Sequence, residues 1–448
     1  MKNTLSETIR SRKARVGIVG LGYVGLPLAI EFAKSGYTVT GIDLAAGKVD
    51  AINRGESYIP DVPSKDVAES VKAGRLSATT DFAVVKALDT VNICVPTPLR
   101  KTKDPDMSYV VSAVEAVAEH VHAGMLVVLE STTYPGTTTE VVQPILEKSG
   151  LKAGVDFHLA FSPERVDPGN PKFNTKNTPK IVGGLTPACS ELAQALYSAG
   201  IDTVIPVSSP TVAEMVKLLE NTFRAVNIGM VNELALMCDR MGIDVWEVVE
   251  AAKTKPFGFM PFYPGPGLGG HCIPVDPFYL SWKAKQFGFD ARFIELAGHI
   301  NGSMPHFVVT KVQDALNTQR KALNGSTVLI AGITYKRDID DMRESPSLDI
   351  MHLLHERGAK VLYADPWAPE LPAHAWPGGY DMKSVTLDAP ALKAADCVVI
   401  VTDHKAFDYD LIVNASSLVI DTRNATTRRA AHVFRLGAPQ SEAEPVGA

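Results

Sequence analysis

The sequence predicts an α/β protein: two doubly wound domains joined by a long central helix and a helical middle domain. Three observations carry that prediction. First, short β-branched runs at 16–20, 38–43, 90–95 and 126–131 alternate with apolar-periodic stretches up to residue 207. That alternation belongs to a parallel sheet with helices on both faces. Second, it restarts at Gly325, with strand candidates at 327–332, 360–364, 397–402 and 418–421. Third, apolar residues between the two blocks recur at helical, not strand, spacing: Val212, Met215, Val216, Leu219, Phe223, Val226, Met230, Leu234 and Met237. Ser209-Pro210 pre-sets a helix start there, and the helix is expected over 211–241, longer than a typical globular helix. A helical pattern resumes over 278–301. The expected division is a Rossmann-like domain at 1–208, a helical domain at 209–318, a second Rossmann-like domain at 319–437 and a tail at 438–448, disordered from about Gly437.

Composition narrows the function. A chain of 448 residues holds two to four domains, and 46% hydrophobic with 21% charged residues suits a soluble globular core. A net charge of −6 argues against a nucleic-acid binder. Residues 1–15 lack the apolar core of a secretory signal, and no apolar run reaches the roughly 18 residues of a membrane span. The five cysteines (Cys94, Cys189, Cys238, Cys272, Cys397) are scattered, which is neither a disulfide framework nor a metal motif. A cytoplasmic protein without a metal is expected. The long helix is either a dimer interface or a bridge between domains.

The sharpest local signal is Gly20-Leu21-Gly22-Tyr23-Val24-Gly25, which follows one strand and opens a helix, with the next strand ending at Asp43. In that context the first glycines admit a pyrophosphate and the helix N-terminus supplies amide donors. Asp43 would hydrogen-bond the ribose hydroxyls and repel a 2′-phosphate, favouring NAD over NADP. The bland alternative is a glycine turn holding another ligand. Hydroxyls at Thr97 and at Ser131, Thr132 and Thr133 follow strands, at the edge where open sheets bind ligands; ordinary turn chemistry explains them equally well. Cys272 sits in a Gly/Pro-dense loop, 263–272, and is read either as a nucleophile reached by a close backbone or as a small buried hydrophobe. The other four cysteines lie in apolar-periodic stretches and read as core. Lys217 and Asn221, four apart, share one face of the long helix. Lys217 is either an oxyanion-stabilising cation or a snorkelling surface lysine.

Taken together, Gly20-x-Gly22-x-x-Gly25, Ser162-Pro163-Glu164, Lys217-x-x-x-Asn221, Gly269-Gly270-x-Cys272-x-x-x-Asp276 and Thr334-x-Lys336…Arg343-x-Ser345-Pro346 resemble the UDP-glucose/GDP-mannose dehydrogenase family, over 16–424. The stretches 162–170, 255–259 and 264–277 resemble most its bacterial UDP-N-acetylglucosamine 6-dehydrogenase branch. The resemblance implies NAD-dependent, four-electron oxidation of a sugar C6 alcohol to a uronic acid, through a thiohemiacetal and a thioester on Cys272. It implies oxyanion contacts from Lys217 and Asn221, water and proton handling by Asp276 and Thr132, and thioester hydrolysis assisted by Glu164. On the cofactor side it implies Gly20, Gly22, Tyr23, Val24, Gly25, Asp43, Lys48, Thr97, Thr132 and Arg343. On the substrate side, besides Glu164, Lys217 and Asn221, it implies Arg165, Val166, Tyr263, Gly269, Lys336 and Arg423. It further implies a cytoplasmic homodimer making a precursor for a surface polysaccharide such as lipopolysaccharide O-antigen.

Three positions depart from the UDP-glucose enzymes. Val275 stands where many have Lys; Pro168, beside Asp167, stands where they have an acidic residue; Pro256 stands where an Arg reaches the partner's substrate, with Lys255 and Arg292 as candidate replacements. His271 beside Cys272 is a weaker candidate activator, because adjacent side chains point apart. UDP-glucose, UDP-N-acetylmannosamine and UDP-N-acetylgalactosamine remain alternative substrates. A single-step dehydrogenase and a non-catalytic nucleotide-sugar or NAD sensor are the alternatives of another kind.

Overall fold

The computed structural model describes residues 2–98, 105–167, 170–270, 273–426 and 428–440. The chain forms two compact units, 1–220 with 278–288, and 221–277 with 289–448. An α/β architecture with two parallel sheets and a helical middle region is what the sequence predicts, and the structure departs from it in one antiparallel pair of the first sheet.

In the first unit, eight strands form one sheet: β1 (Arg15–Val19), β2 (Thr38–Ile42), β3 (Leu76–Thr79), β4 (Thr90–Ile93), β5 (Leu126–Leu129), β6 (His158–Phe161), β7 (Lys180–Gly184) and β8 (Val204–Val207). Their order is β3-β2-β1-β4-β5-β6-β7-β8, and only the β6–β7 pair is antiparallel. The strands read as continuous apolar runs because both faces are covered. One face packs Val16, Ile18 and Val39 against Leu26, Ile30 and Phe32; the other packs Val91, Ile93 and Val127 against Val110, Val114 and Val117. Register fixes the site: Val19 pairs with Ile93, Ile93 with Leu129, and Leu129 with Phe161. The segments after β1, β4, β5 and β6 therefore leave the sheet at one edge, where open α/β sheets bind ligands.

The second unit holds β9 (Thr327–Ala331), β10 (Lys360–Ala364), a small hairpin of β11 (Glu370–Leu371) and β12 (Met382–Lys383), then β13 (Cys397–Ile400), β14 (Val419–Asp421) and β15 (Val433–Arg435). Its parallel sheet has the order β10-β9-β13-β14-β15. Ala331 pairs with Ala364 and Ile400, and Ile400 with Asp421, so the following loops again share an edge.

The predicted long helix runs Pro210–Met241. The helical pattern after Cys272 is two helices, Asp276–Gln286 and Arg292–Thr318, separated at Gly288, whose φ of +71° breaks the first. The second helix continues through Pro305, beyond where the sequence suggests a stop. The polar N-terminal stretch forms a helix, Lys2–Arg10, which buries Leu5 and Ile9. Packing also extends past the expected start of the tail. The Val245 amide donates to the Gly437 carbonyl at 2.9 Å, and Ala438 is buried among Ala235, Val245 and Trp246. The rest of the expected tail, 441–448, lies outside the described residues. No described helix is long and apolar enough to cross a membrane.

Candidate active site

The first unit's ligand edge begins at the glycine turn. A Cβ on Gly25 would lie 1.8 Å from the Gly20 carbonyl oxygen, so only glycine lets the Gly25–Lys34 helix start this close to β1. At Gly22 an added Cβ meets nothing within 4 Å, which leaves the open backbone approach a pyrophosphate needs. Asp43 closes the turn. Its Oδ2 accepts the Leu21 amide at 2.9 Å, its Oδ1 accepts the Ala45 amide at 2.9 Å, and Lys48 sits 3.3 Å from Oδ2. Tyr23 is exposed and Val24 is half-buried beside the turn. These residues fit a dinucleotide: a glycine-lined helix start with an acceptor carboxylate at the end of the next strand. Asp43→Ala should raise the KM for NAD about 10–100-fold, the usual weight of hydrogen bonds to a charged group. Steady-state NAD titration measures it, and an unchanged KM would remove Asp43 from ribose recognition.

The next strand ends carry the hydroxyls. The Ser131 hydroxyl donates to the Val95 carbonyl at 2.7 Å, tying the β4 and β5 ends together. The Thr97 carbonyl accepts from the buried Tyr279 hydroxyl at 2.8 Å. Lys217 is buried and donates to the Thr132 hydroxyl, so the snorkelling reading is overturned. A second buried group on the long helix, Glu214, accepts the Gly136 and Thr138 amides at 2.6 and 2.8 Å and fixes the turn after Thr132. Burial pushes its carboxyl upward in pKa, against the pull of the Thr138 contacts.

Glu164 follows β6. Its Oε1 accepts the Arg165 and Val166 amides, both at 2.8 Å, and its Oε2 lies 3.2 Å from Lys180 Nζ. Arg165 turns away to a bidentate pair with Glu220, at 3.1 and 2.5 Å. Sequence reasoning missed Lys180. The available signal was a lysine opening the otherwise apolar run Lys-Ile-Val-Gly-Gly of β7.

In the second unit, Asn221 Nδ2 donates to Asp276 Oδ2 at 2.6 Å, and Asp276 is buried. Cys272 and His271 lie outside the described residues. The chain leading to them is fixed: the Gly270 amide donates to the Arg343 carbonyl at 3.1 Å, and its φ is +85°. A Cβ there would lie 2.8 Å from the Tyr335 ring, so the loop lies flat on that ring only because it is glycine. Gly269 likewise abuts Tyr335.

The loop edge of this unit, beyond the ends of its parallel strands, brings several charged side chains together. Arg423 Nε donates to the Val401 carbonyl at 2.8 Å, and its guanidinium comes up against Gly265. Burial, then the nearby Arg337 charge, lower its pKa to about 10, so it remains a cation at neutral pH. Arg337 pairs with Asp403, and the Lys336 carbonyl accepts the Thr334 hydroxyl at 3.0 Å. The fully buried His404 supports this turn. Its Nδ1 accepts the Asp338 amide and its Nε2 faces Asp365 Oδ2, both at 3.0 Å, a pattern that places the proton on Nε2. His404 also escaped sequence reasoning; it follows the predicted strand 397–402. Arg343 is half-exposed and pairs with Asp341 at 2.6 Å, and Tyr263 donates to Glu250 at 2.6 Å. Of the candidate replacement cations, Lys255 lies over the Phe257 ring and the exposed Arg292 faces Asp290 at 3.5 Å. Asp167 Oδ2 accepts from Asn170 at 3.4 Å.

A glycine-turn dinucleotide site with an acidic partner, beside a buried lysine–threonine pair, defines a nicotinamide-dependent oxidoreductase. The chain belongs to the UDP-glucose/GDP-mannose dehydrogenase family: the family's NAD-binding domain matches 14–201, its central domain 211–303 and its UDP-binding domain 329–428. It is 37% identical over 395 residues to UDP-N-acetyl-D-glucosamine 6-dehydrogenase of Pseudomonas aeruginosa, covering 88% of this chain and 91% of that one. It is 36% identical over 421 residues to NDP-N-acetyl-D-galactosaminuronic acid dehydrogenase of Ralstonia solanacearum, covering 91% and 95%. The solved UDP-D-ManNAc dehydrogenase of Pyrococcus horikoshii superposes with a TM-score of 0.86 at 34% identity, covering 95% of this chain and 100% of that one. The chain is an NAD-dependent UDP-sugar 6-dehydrogenase.

Proposed function

We propose that the substrate is UDP-N-acetylglucosamine, oxidised at C6 to its uronic acid for a surface polysaccharide. The three relatives above are named for N-acetylated sugars, and the one named for UDP-N-acetylglucosamine is 37% identical. The same chemistry on UDP-N-acetylmannosamine, UDP-N-acetylgalactosamine or UDP-glucose is the nearest alternative. In this reading the segments 1–208, 209–318 and 319–437 bind NAD, carry the cysteine loop and bind the UDP moiety.

The observation that carries the four-electron reading is the pairing within the motif residues: Lys217 on Thr132, and Asn221 on Asp276. A single-step alcohol oxidation needs no carboxylate-bound amide beside a cysteine loop. Bound NAD supplies the hydride acceptor at each oxidation. Cys272 adds to the aldehyde as a thiolate and retains it covalently. Lys217 and Asn221 donate hydrogen bonds to the oxygen that becomes negative at C6. Asp276 orients Asn221 and takes part in proton transfer, while Thr132 orders water. Glu164 takes a proton from the water that hydrolyses the thioester. Arg423 and Lys336 hold the diphosphate, with Val166, Tyr263 and Gly269 on the sugar side; Arg343, Thr97 and Lys48 serve NAD, while the Arg165 side chain, committed to Glu220, supports the Glu164 turn.

The working form in this reading is a homodimer. Val212, Met215, Leu219, Phe223, Met230, Met237 and Met241 are all exposed and lie three, four or seven residues apart, one apolar stripe along the long helix. The deciding experiment counts NADH formed per sugar consumed with UDP-N-acetylglucosamine, UDP-N-acetylmannosamine and UDP-glucose separately. Two NADH with the first preferred is the expected result. Two with another preferred overturns the specificity, one overturns the thioester route, and none overturns catalysis on these sugars.

A further inference from the structure

The first unit contains a buried ion pair, Lys180 with Glu130, that the reaction scheme above does not use. Lys180, at the start of β7, has a side chain only 5% exposed. Its Nζ lies 2.7 Å from Glu130 Oε2 and 3.2 Å from Glu164 Oε2. Glu130 is held in turn: its Oε1 accepts the Tyr197 hydroxyl at 2.6 Å and the Asn92 amide at 2.8 Å. The Tyr197 ring also faces Lys180 Nζ, 5.1 Å from the ring centre. Three elements thus converge on the β7 ammonium, the β5 end, the β6 end and the Pro187–Tyr197 helix, and β4 braces Glu130 through Asn92. A buried ion cluster of this kind is a poor way to gain stability, because the desolvation cost offsets the attraction. Its geometry is aimed instead at one group.

A carboxylate has about four acceptor positions. On Glu164 the Arg165 and Val166 amides take both positions of Oε1, and Lys180 takes one of Oε2. One lone pair on Oε2 remains. Without Lys180 that carboxyl group is free to twist or to protonate; with it, a single acceptor is left, in a fixed direction.

We infer that Lys180 is a positioning residue for thioester hydrolysis: braced by Glu130, it holds Glu164 as a carboxylate with one Oε2 lone pair set to take a proton from the attacking water. The inference rests on the dehydrogenase reading above and on Glu164's part in it. In the step, the water oxygen bonds to the acyl carbon and one water proton passes to Glu164. The C–S bond breaks with its electron pair on the Cys272 sulfur, and the acid released then ionises. The charge state agrees with the geometry. Burial works to raise the Glu164 pKa, but Lys180 and the two amides outweigh it and leave it below the ordinary value. Lys180 is itself pushed up by Glu130 and Glu164, against burial. The other titratable groups facing the cluster, Cys94 and Tyr197, are raised well above their usual values and stay neutral, and Arg165 is committed to Glu220.

The test uses the full-length enzyme with UDP-N-acetylglucosamine and NAD, comparing Lys180→Met, Lys180→Arg, Glu164→Gln and Glu164→Gln/Lys180→Met. Lys180→Met leaves two buried carboxylates unpaired and risks unfolding, so Glu130→Gln/Lys180→Met, which keeps the local net charge, is compared with Glu130→Gln alone. Rapid mixing should show that removing Lys180 preserves a burst of two NADH per active site while steady-state turnover falls about 10–100-fold. Intact mass should then reveal an acyl adduct at Cys272. The acid limb of the kcat profile should move to higher pH, since a carboxylate without its cation protonates sooner. Lys180→Arg should restore most of the turnover, and Lys180→Met should add less than about twofold to Glu164→Gln. Loss of the burst together with turnover, effects that multiply with Glu164→Gln, or wild-type turnover without Lys180 would each overturn the inference while sparing the dehydrogenase. Wild-type turnover in Glu164→Gln would overturn it through Glu164. No NADH from the wild-type enzyme with any UDP-sugar would overturn the underlying reading, and the inference with it.

Discussion

Cys272→Ala is expected to lower NADH formation from the UDP-sugar by about three orders of magnitude or more, and to abolish any acyl adduct. In a two-step oxidation through sulfur, the second hydride leaves a thiohemiacetal, which cannot form without the thiol. The first oxidation then stalls as well, because no covalent bond draws the aldehyde forward. None of the other thiols for which burial moves the pKa can substitute. Burial raises Cys94, Cys238 and Cys397, so little thiolate exists at neutral pH, and Cys189 is buried at 3.7 Å from His158. The loop before Cys272 is fixed by Gly269 and Gly270 on Tyr335, so the alanine variant changes the sulfur without moving the approach. Initial-rate assays and intact mass after mixing provide the measurement. An alanine variant that turns over normally would make this a single-step dehydrogenase, and the glycine loop would then serve packing alone.

The sequence made legible what local patterning controls. Strands β1, β2, β4 and β5 of the first sheet, β9, β10, β13 and β14 of the second, the helix Pro210–Met241, the glycine turn and Asp43 each follow from a period or a short motif, whereas β3, β6, β7, β8 and β15 do not. Strand ends read one or two residues long: the strand expected at 126–131 is Leu126–Leu129, because the Glu130 and Ser131 amides both converge on the Ile93 carbonyl and end the regular ladder there. Long-range placement was not legible. A lysine in a helix reads equally as surface or buried until its partner Thr132, 85 residues away, is in place. Lys180 and Glu130 are 50 residues apart, and each alone looks like an exposed charge. His404 and Asp365 meet only because β10, β9 and β13 are neighbours in the sheet. Pro305 hid the length of its helix, since a proline in a periodic stretch normally marks a stop.

Lys217→Met is the second large effect expected: a kcat loss of about 10²–10³ with little change in the KM for the sugar. Methionine keeps the stem that packs in the buried site and removes only the ammonium, so what is lost is the donor, not the volume. A group that binds alcohol and transition state alike would raise KM; one that meets an oxygen only as it becomes negative lowers kcat. Lys217 is placed for the second task. It is held at the ligand edge by the Thr132 hydroxyl, and Glu214, one helical turn earlier, anchors the segment that follows Thr132 through Gly136 and Thr138. The buried lysine and the turn it addresses are thus fixed by the same helix. Thr132→Val separates two accounts of that contact. If Lys217 serves only to hold Thr132, both variants lose the same activity and the first NADH appears normally in a single turnover. If Lys217 acts on the oxyanion, Lys217→Met slows the first NADH itself, and Thr132→Val slows mainly the release of product. Single-turnover NADH formation decides between them, and equal, burst-preserving losses would return Lys217 to a supporting role.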